Sequence, residues 1–162
     1  MKFYCRTDHF KNRLGFTIKN DALNNVYKVK GSFFHGLKLL TFKDWSDEEM
    51  YRVKKTFAFG LKSTYVLTGA SRQDIQAYIV RNLANKGILV TFPSGEIYQV
   101  KTDGSKVEFI KDQELVASLE AKEAQPDRLY EITLREDRKP LLNLACMIAV
   151  KQILLGRRKR SE

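Results

Sequence analysis

Residues Leu141 to Leu155 make an almost unbroken apolar run, and they restrict the fold more than any other stretch of the chain. Wound as a helix, Leu141-Leu142-Asn143-Leu144-Ala145-Cys146-Met147-Ile148-Ala149-Val150 points apolar side chains in every direction, whereas a helix lying on a surface shows a single apolar stripe. A run of this length, at about 1.5 Å per residue, reaches only about 22 Å. That is short of the roughly 30 Å of a bilayer's hydrocarbon core, so the helix has to be enclosed by protein. Pro140 suits the first helical turn, where its missing N–H costs nothing, and Gly156 reads as the stop. The pattern predicts a helix over about residues 138–156, with Leu141, Leu142, Leu144, Met147, Ile148 and Leu154 as its core side chains. Lys151 and Gln152 are expected to reach toward the mouth of whatever encloses it.

The enclosure has to come from residues 1–134, where short runs of alternating apolar and polar residues end at Gly, Asn or Asp. There are about twelve such runs, near residues 1–8, 15–19, 26–31, 37–43, 50–57, 63–68, 75–82, 87–92, 96–102, 106–110, 113–121 and 127–134. One face of each is apolar: Tyr27 with Val29, Val107 with Phe109, Leu115 with Ala117 and Leu119, and Tyr130 with Ile132 and Leu134. Turns are read at Asn24-Asn25, Pro93-Ser94-Gly95 and Asp103-Gly104-Ser105. A barrel of about eight strands already fills its interior with side chains, so one of about twelve needs a further occupant. The predicted fold is therefore mainly β, a closed antiparallel barrel of about twelve strands around its own C-terminal helix. It makes one domain over residues 1–162, with a basic tail at 157–162.

The chain also matches itself. Val26-Tyr27-Lys28-Val29-Lys30 returns as Ile97-Tyr98-Gln99-Val100-Lys101. Asp47-Glu48-Glu49-Met50 followed by Tyr65-Val66-Leu67 returns as Asp112-Gln113-Glu114-Leu115 followed by Tyr130-Glu131-Ile132. The expectation is two similar halves of six strands, the second having lost residues equivalent to the region of Asp44-Trp45-Ser46.

Several of these segments, taken in order, resemble the LURP-one-related family, whose fold is shared with tubby C-terminal domains and phospholipid scramblases. The resemblance runs through Phe16-Thr17-Ile18, Tyr27-Lys28-Val29-Lys30-Gly31, Phe33-Phe34, Gly36-Leu37-Lys38-Leu39, Glu49-Met50-Tyr51-Arg52-Val53-Lys54-Lys55 and Leu142-Asn143-Leu144-Ala145, at a length typical of short bacterial members. It implies a barrel threaded by the C-terminal helix. Tubby relatives bind phosphoinositide head groups on a basic surface, but no motif here carries those residues over one by one.

Function has to be sought in charge and in the scarcity of reactive groups. Lys and Arg number 29 against 19 Asp and Glu, a formal net charge of +10, which draws the phosphates of lipid or nucleic acid. The two cysteines, Cys5 and Cys146, make no disulfide framework and fit a reducing compartment. Residues 1–6 lack the apolar core of a signal peptide, so the expected location is cytoplasmic, peripheral to the inner membrane surface where lipid is bound. His9 and His35 are the only histidines, too few for a conventional zinc site. Cys5 with His9 or His35 is the one pair to weigh as nucleophile and base, against a plain strand thiol and two loop histidines. No phosphate-cradling glycine loop occurs. The expectation is a binding or scaffold module with no catalytic residues, metal or cofactor.

Its candidate ligand-binding residues are Lys43, Arg52, Lys54, Lys55 and Lys62, with Arg52 and Lys54 facing outward opposite inward Tyr51 and Val53. The bland alternative is that these charges serve solubility. Nucleic-acid binding by the same surface is the second reading, with Phe33, Phe34, Trp45, Phe57 and Phe59 as stacking candidates that could equally pack in a core. Arg157-Arg158-Lys159-Arg160 either complements the helix dipole or touches an anionic surface.

Overall fold

The structure, a computed structural model, describes residues 1–6, 15–33, 37–56, 62–71, 73–123 and 128–158. Twelve strands precede one helix: β1 Lys2–Arg6, β2 Phe16–Lys19, β3 Asn25–Phe33, β4 Leu37–Asp44, β5 Glu49–Lys55, β6 Lys62–Thr68, β7 Ile75–Asn82, β8 Ile88–Thr91, β9 Ile97–Asp103, β10 Lys106–Lys111, β11 Glu114–Glu123, β12 Arg128–Leu134 and α1 Pro140–Arg158. Each strand pairs antiparallel with its successor, and β1 closes the barrel between β2 and β12. The β1–β12 seam runs from Lys2 opposite Thr133 to Arg6 opposite Leu129.

The helix lies in the lumen as its all-round apolarity requires. From Leu142 to Ile153 every residue is buried, and Leu144, Met147 and Ile148 are fully so. Leu141 and Leu154 are half-buried at the two ends. The wall answers with Ile18, Phe42, Leu67, Ile79, Phe109, Leu119 and Ile132, all at 1% exposure or less.

Two expectations for the helix are corrected. It continues through Gly156 to Arg158, because a glycine inside a helix costs only about 1 kcal/mol and nothing here turns the chain into the left-handed region. Lys151 and Gln152 do not reach out to solvent; both are 4% exposed. The Lys151 ammonium sits 4.8 Å above the Tyr130 ring, which replaces part of the hydration it gives up. Asn143 is buried as well, and its Nδ2 donates to the Arg138 carbonyl at 2.6 Å, tying the first turn of the helix to the connector.

The expected inward faces hold at Tyr27, Val29, Tyr51, Val53, Val107, Phe109, Ala117, Leu119, Tyr130, Ile132 and Leu134. Leu115 is the exception, 46% exposed. A register shift after Phe109 sets Ile110 opposite Leu115 and lets Val116 and Ala117 both turn inward, so strict alternation fails at that bulge. In the β2–β3 turn the left-handed residue is Leu23, with Asn20 Oδ1 accepting from the Ala22 and Asn24 N–H groups; Asn25 already belongs to β3. Gly95 and Gly104 take positive φ in the other two predicted turns.

The self-matching segments fall six strands apart, on β3 and β9, at the starts of β5 and β11, and on β6 and β12. Their tyrosines also face alike. Tyr27 meets Phe42 at 5.2 Å between ring centroids, and Tyr98 meets Phe109 at 6.2 Å, with nearly equal interplanar angles of 38° and 37°. Asp47 and Asp112 both hold positive φ in the matching turns.

Candidate anion-binding surface

Because consecutive strands alternate in direction, alternate turns share an end of the barrel. At one end the connector 135–139 leads into the helix; at the other the helix leaves. The helix-entry end gathers carboxylates: Asp21, Asp47, Glu48, Asp74 and Asp112 are exposed on its turns, and Glu136 and Asp137 on the connector. Bases there are largely matched. Arg135 binds Glu114 at 3.2 Å and Asp137 at 2.9 Å, and Lys111 binds Glu96 at 3.2 Å.

The helix-exit end is the opposite. Going round it, Lys54 lies near the end of β5, Lys62 at the start of β6, Lys86 between β7 and β8, and Lys101 toward the end of β9. Lys62 stands opposite Asn82, whose N–H donates to the Gly87 carbonyl, so Lys62 and Lys86 share one level of the rim. All four lysines are exposed, and among the described residues none of them is in an ion pair. Lys106 begins β10, and Lys122, paired with Glu120 at 3.5 Å, lies near the end of β11. Among the described residues acidic side chains are sparser at this rim, where Asp103 closes β9 and Glu123 closes β11.

The five candidate residues therefore separate. Lys54 and Lys62 come together on the outer side of this rim. Lys55 reaches the same end, but in the register of Val53 and opposite inward-facing Tyr65, so it does not belong to the outer face. Arg52 faces outward as expected, yet its Nε donates to Glu49 Oε1 at 2.7 Å and its charge is matched. Lys43 lies toward the other end, opposite Lys28 and Glu49. There Lys28 Nζ donates to Asp47 Oδ1 at 2.9 Å; that hydrogen bond and the Lys28 charge, with Lys43 and Lys30 adding, hold the Asp47 carboxyl below its usual pKa. Lys86 and Lys101 were not among the candidates. A sequence signal for them exists: in a meander that pairs every strand with the next, every second turn lies at one end, and Lys54, Lys62, Lys86 and Lys101 all stand in or near such turns.

The remaining reactive groups are shut away. Cys5 and Cys146 are both buried, and burial pushes the thiol pKa of each upward, Cys146 to about 12. A thiol so protonated is a poor nucleophile, and His9 and His35 lie outside the described residues. Trp45 is 49% exposed, but on the acidic β4–β5 turn, with Lys28 Nζ 4.7 Å from its ring. Phe34, Phe57 and Phe59 lie outside the described residues, and Phe33 closes β3. No helix among the described residues is long and apolar enough to cross a membrane.

Fold and surface together define a closed, helix-filled up-and-down barrel whose two ends differ in charge. The X-ray structure of an Arabidopsis thaliana protein, AT5G01750, has a similar fold, with a TM-score of 0.60 and 12% identity over 92% of this chain and 88% of that one. No family model matches the chain, and no curated protein matches it.

Proposed function

We propose that this chain is a non-enzymatic binding module of the LURP-one-related kind, which meets anionic surfaces, phospholipid head groups foremost, with the helix-exit end of its barrel. One observation carries the reading: Lys54, Lys62, Lys86 and Lys101 stand exposed around one end while exposed carboxylates collect at the other. An arc of cations from β5 to β9 along one end suits a flat anionic surface, which all of them reach together, and each lysine near such a surface contributes about 1 kcal/mol. The acidic end turns away. The buried thiols fit a protein that binds without covalent chemistry, and a reducing, cytoplasmic setting at the inner membrane surface fits the same picture.

Nucleic acid is the weaker reading. Among the described residues its exposed aromatic candidate, Trp45, lies among Asp44, Asp47 and Glu48, where phosphates are repelled.

Co-sedimentation with neutral, phosphatidylserine-containing and phosphoinositide-containing vesicles over a salt series tests the proposal. Binding to the anionic vesicles alone is expected, falling roughly 100-fold when Lys54, Lys62 and Lys86 are changed together to Ala. Equal binding to neutral vesicles, or an unaffected triple variant, refutes it. Oligonucleotide binding that survives at about 50 mM salt while vesicles are ignored establishes the second reading instead.

A further inference from the structure

Between its charged ends the outer side of β6 to β9 carries no charge, and Ile110 and Leu115 continue it onto β10 and β11, beside outward Glu108, which stands opposite Lys101. In one row across the strands, Thr64, Val80, Leu89, Gln99, Ile110 and Leu115 stand in register. In the next, Val66, Tyr78, Thr91 and Ile97 do. Leu89, Ile97 and Leu115 are 40%, 51% and 46% exposed, in a barrel whose core is already filled by its helix. An uncharged, largely apolar field of this kind, broken only by Thr64, Gln99 and Thr91, marks an interaction surface.

We infer that a second copy of this chain covers it, turned end for end. The charges flanking the field select that occupant. Along its helix-exit edge lie Lys62, Lys86 and Lys101, and along its helix-entry edge lie Asp74 and Asp112, all exposed. Two sheets packed face to face can be related by a twofold axis running across their strands, and that axis inverts strand direction. It sets β8 against β8 and brings Lys62 and Lys86 of each copy over Asp74 of the other. The alternative axis, along the strands, stacks lysine on lysine and is repelled. Leu89 and Ile97 meet their counterparts at the centre, where water is excluded. An anionic bilayer would match the lysine edge but leave Asp74 and Asp112 against like charge.

Light scattering and sedimentation on the full chain test this. The expected result is a species of twice the 18.8 kDa of one chain. Leu89→Glu with Ile97→Glu should raise its dissociation constant roughly 30-fold or more, with circular dichroism unchanged because both side chains are on the outside. Asp74→Lys should weaken the dimer, and adding Lys86→Asp should restore it. A monomer at every concentration, or a dimer indifferent to the Glu substitutions, overturns the inference. So does a monomer that loses vesicle binding when Leu89 and Ile97 are changed, which would make the face a lipid contact.

Discussion

Truncating the helix one residue at a time should give no helical periodicity in stability. Leu142, Met147, Ile148 and Val150 are each at 3% exposure or less and stand about 60–120° apart around the helix axis. Deleting such a side chain to Ala costs about 2–5 kcal/mol, the lost transfer energy plus the cavity left in a wall that cannot collapse onto the helix. With a urea dependence of about 2 kcal/mol per molar for a domain of this size, each variant should lower the unfolding midpoint by about 1–2.5 M. Against a total stability of about 5–15 kcal/mol, a double variant approaches unfolding. Leu154, half-buried at the helix-exit mouth, should cost less. Urea titrations followed by far-ultraviolet circular dichroism measure all five. If two of the four buried positions tolerate Ala within about 0.5 kcal/mol, the helix has a free face and does not fill the barrel.

Other consequences follow from the buried groups. Ellman's reagent should leave Cys5 and Cys146 unmodified in the native protein at pH 8 and titrate both in urea; rapid native modification contradicts their burial. The Cys146 thiol is raised from its usual 9.0 to about 12 by burial, so the folded state holds its proton where the unfolded state has lost it. Stability from this source is therefore complete below pH 9 and declines as pH rises from there toward 12, and Cys146→Ala should flatten that part of the urea midpoint against pH. Asn143→Ala removes the 2.6 Å hydrogen bond to the Arg138 carbonyl and should cost about 1–3 kcal/mol, measured the same way, because that carbonyl loses its partner.

The sequence disclosed the architecture because both of its periods are strong. Alternation such as Tyr27-Lys28-Val29 or Val107-Glu108-Phe109 marks half-buried strands, and Leu142 to Val150 has no polar stripe with which to lie on a surface. Leu115 was misplaced because a bulge changes the parity of a strand without any signal in composition. Lys151 was misplaced because an aromatic ring opposite it, Tyr130, is supplied by a strand that only the closed topology brings near. The site was half legible. Outward Lys54 follows from alternation alone, whereas the neutralisation of Arg52 by Glu49 and the gathering of Lys62, Lys86 and Lys101 at one end depend on side-chain geometry and on which turns share an end.

The most direct test of an end-on anionic contact uses the buried thiols to advantage. A polarity-sensitive dye is attached to Ser105→Cys, on the β9–β10 turn of the basic end, or to Ser94→Cys, on the β8–β9 turn of the acidic end; both positions are exposed. With phosphatidylserine vesicles the emission should shift to the blue at position 105 and stay unchanged at position 94. A shift at position 94, or equal shifts at both, contradicts the account.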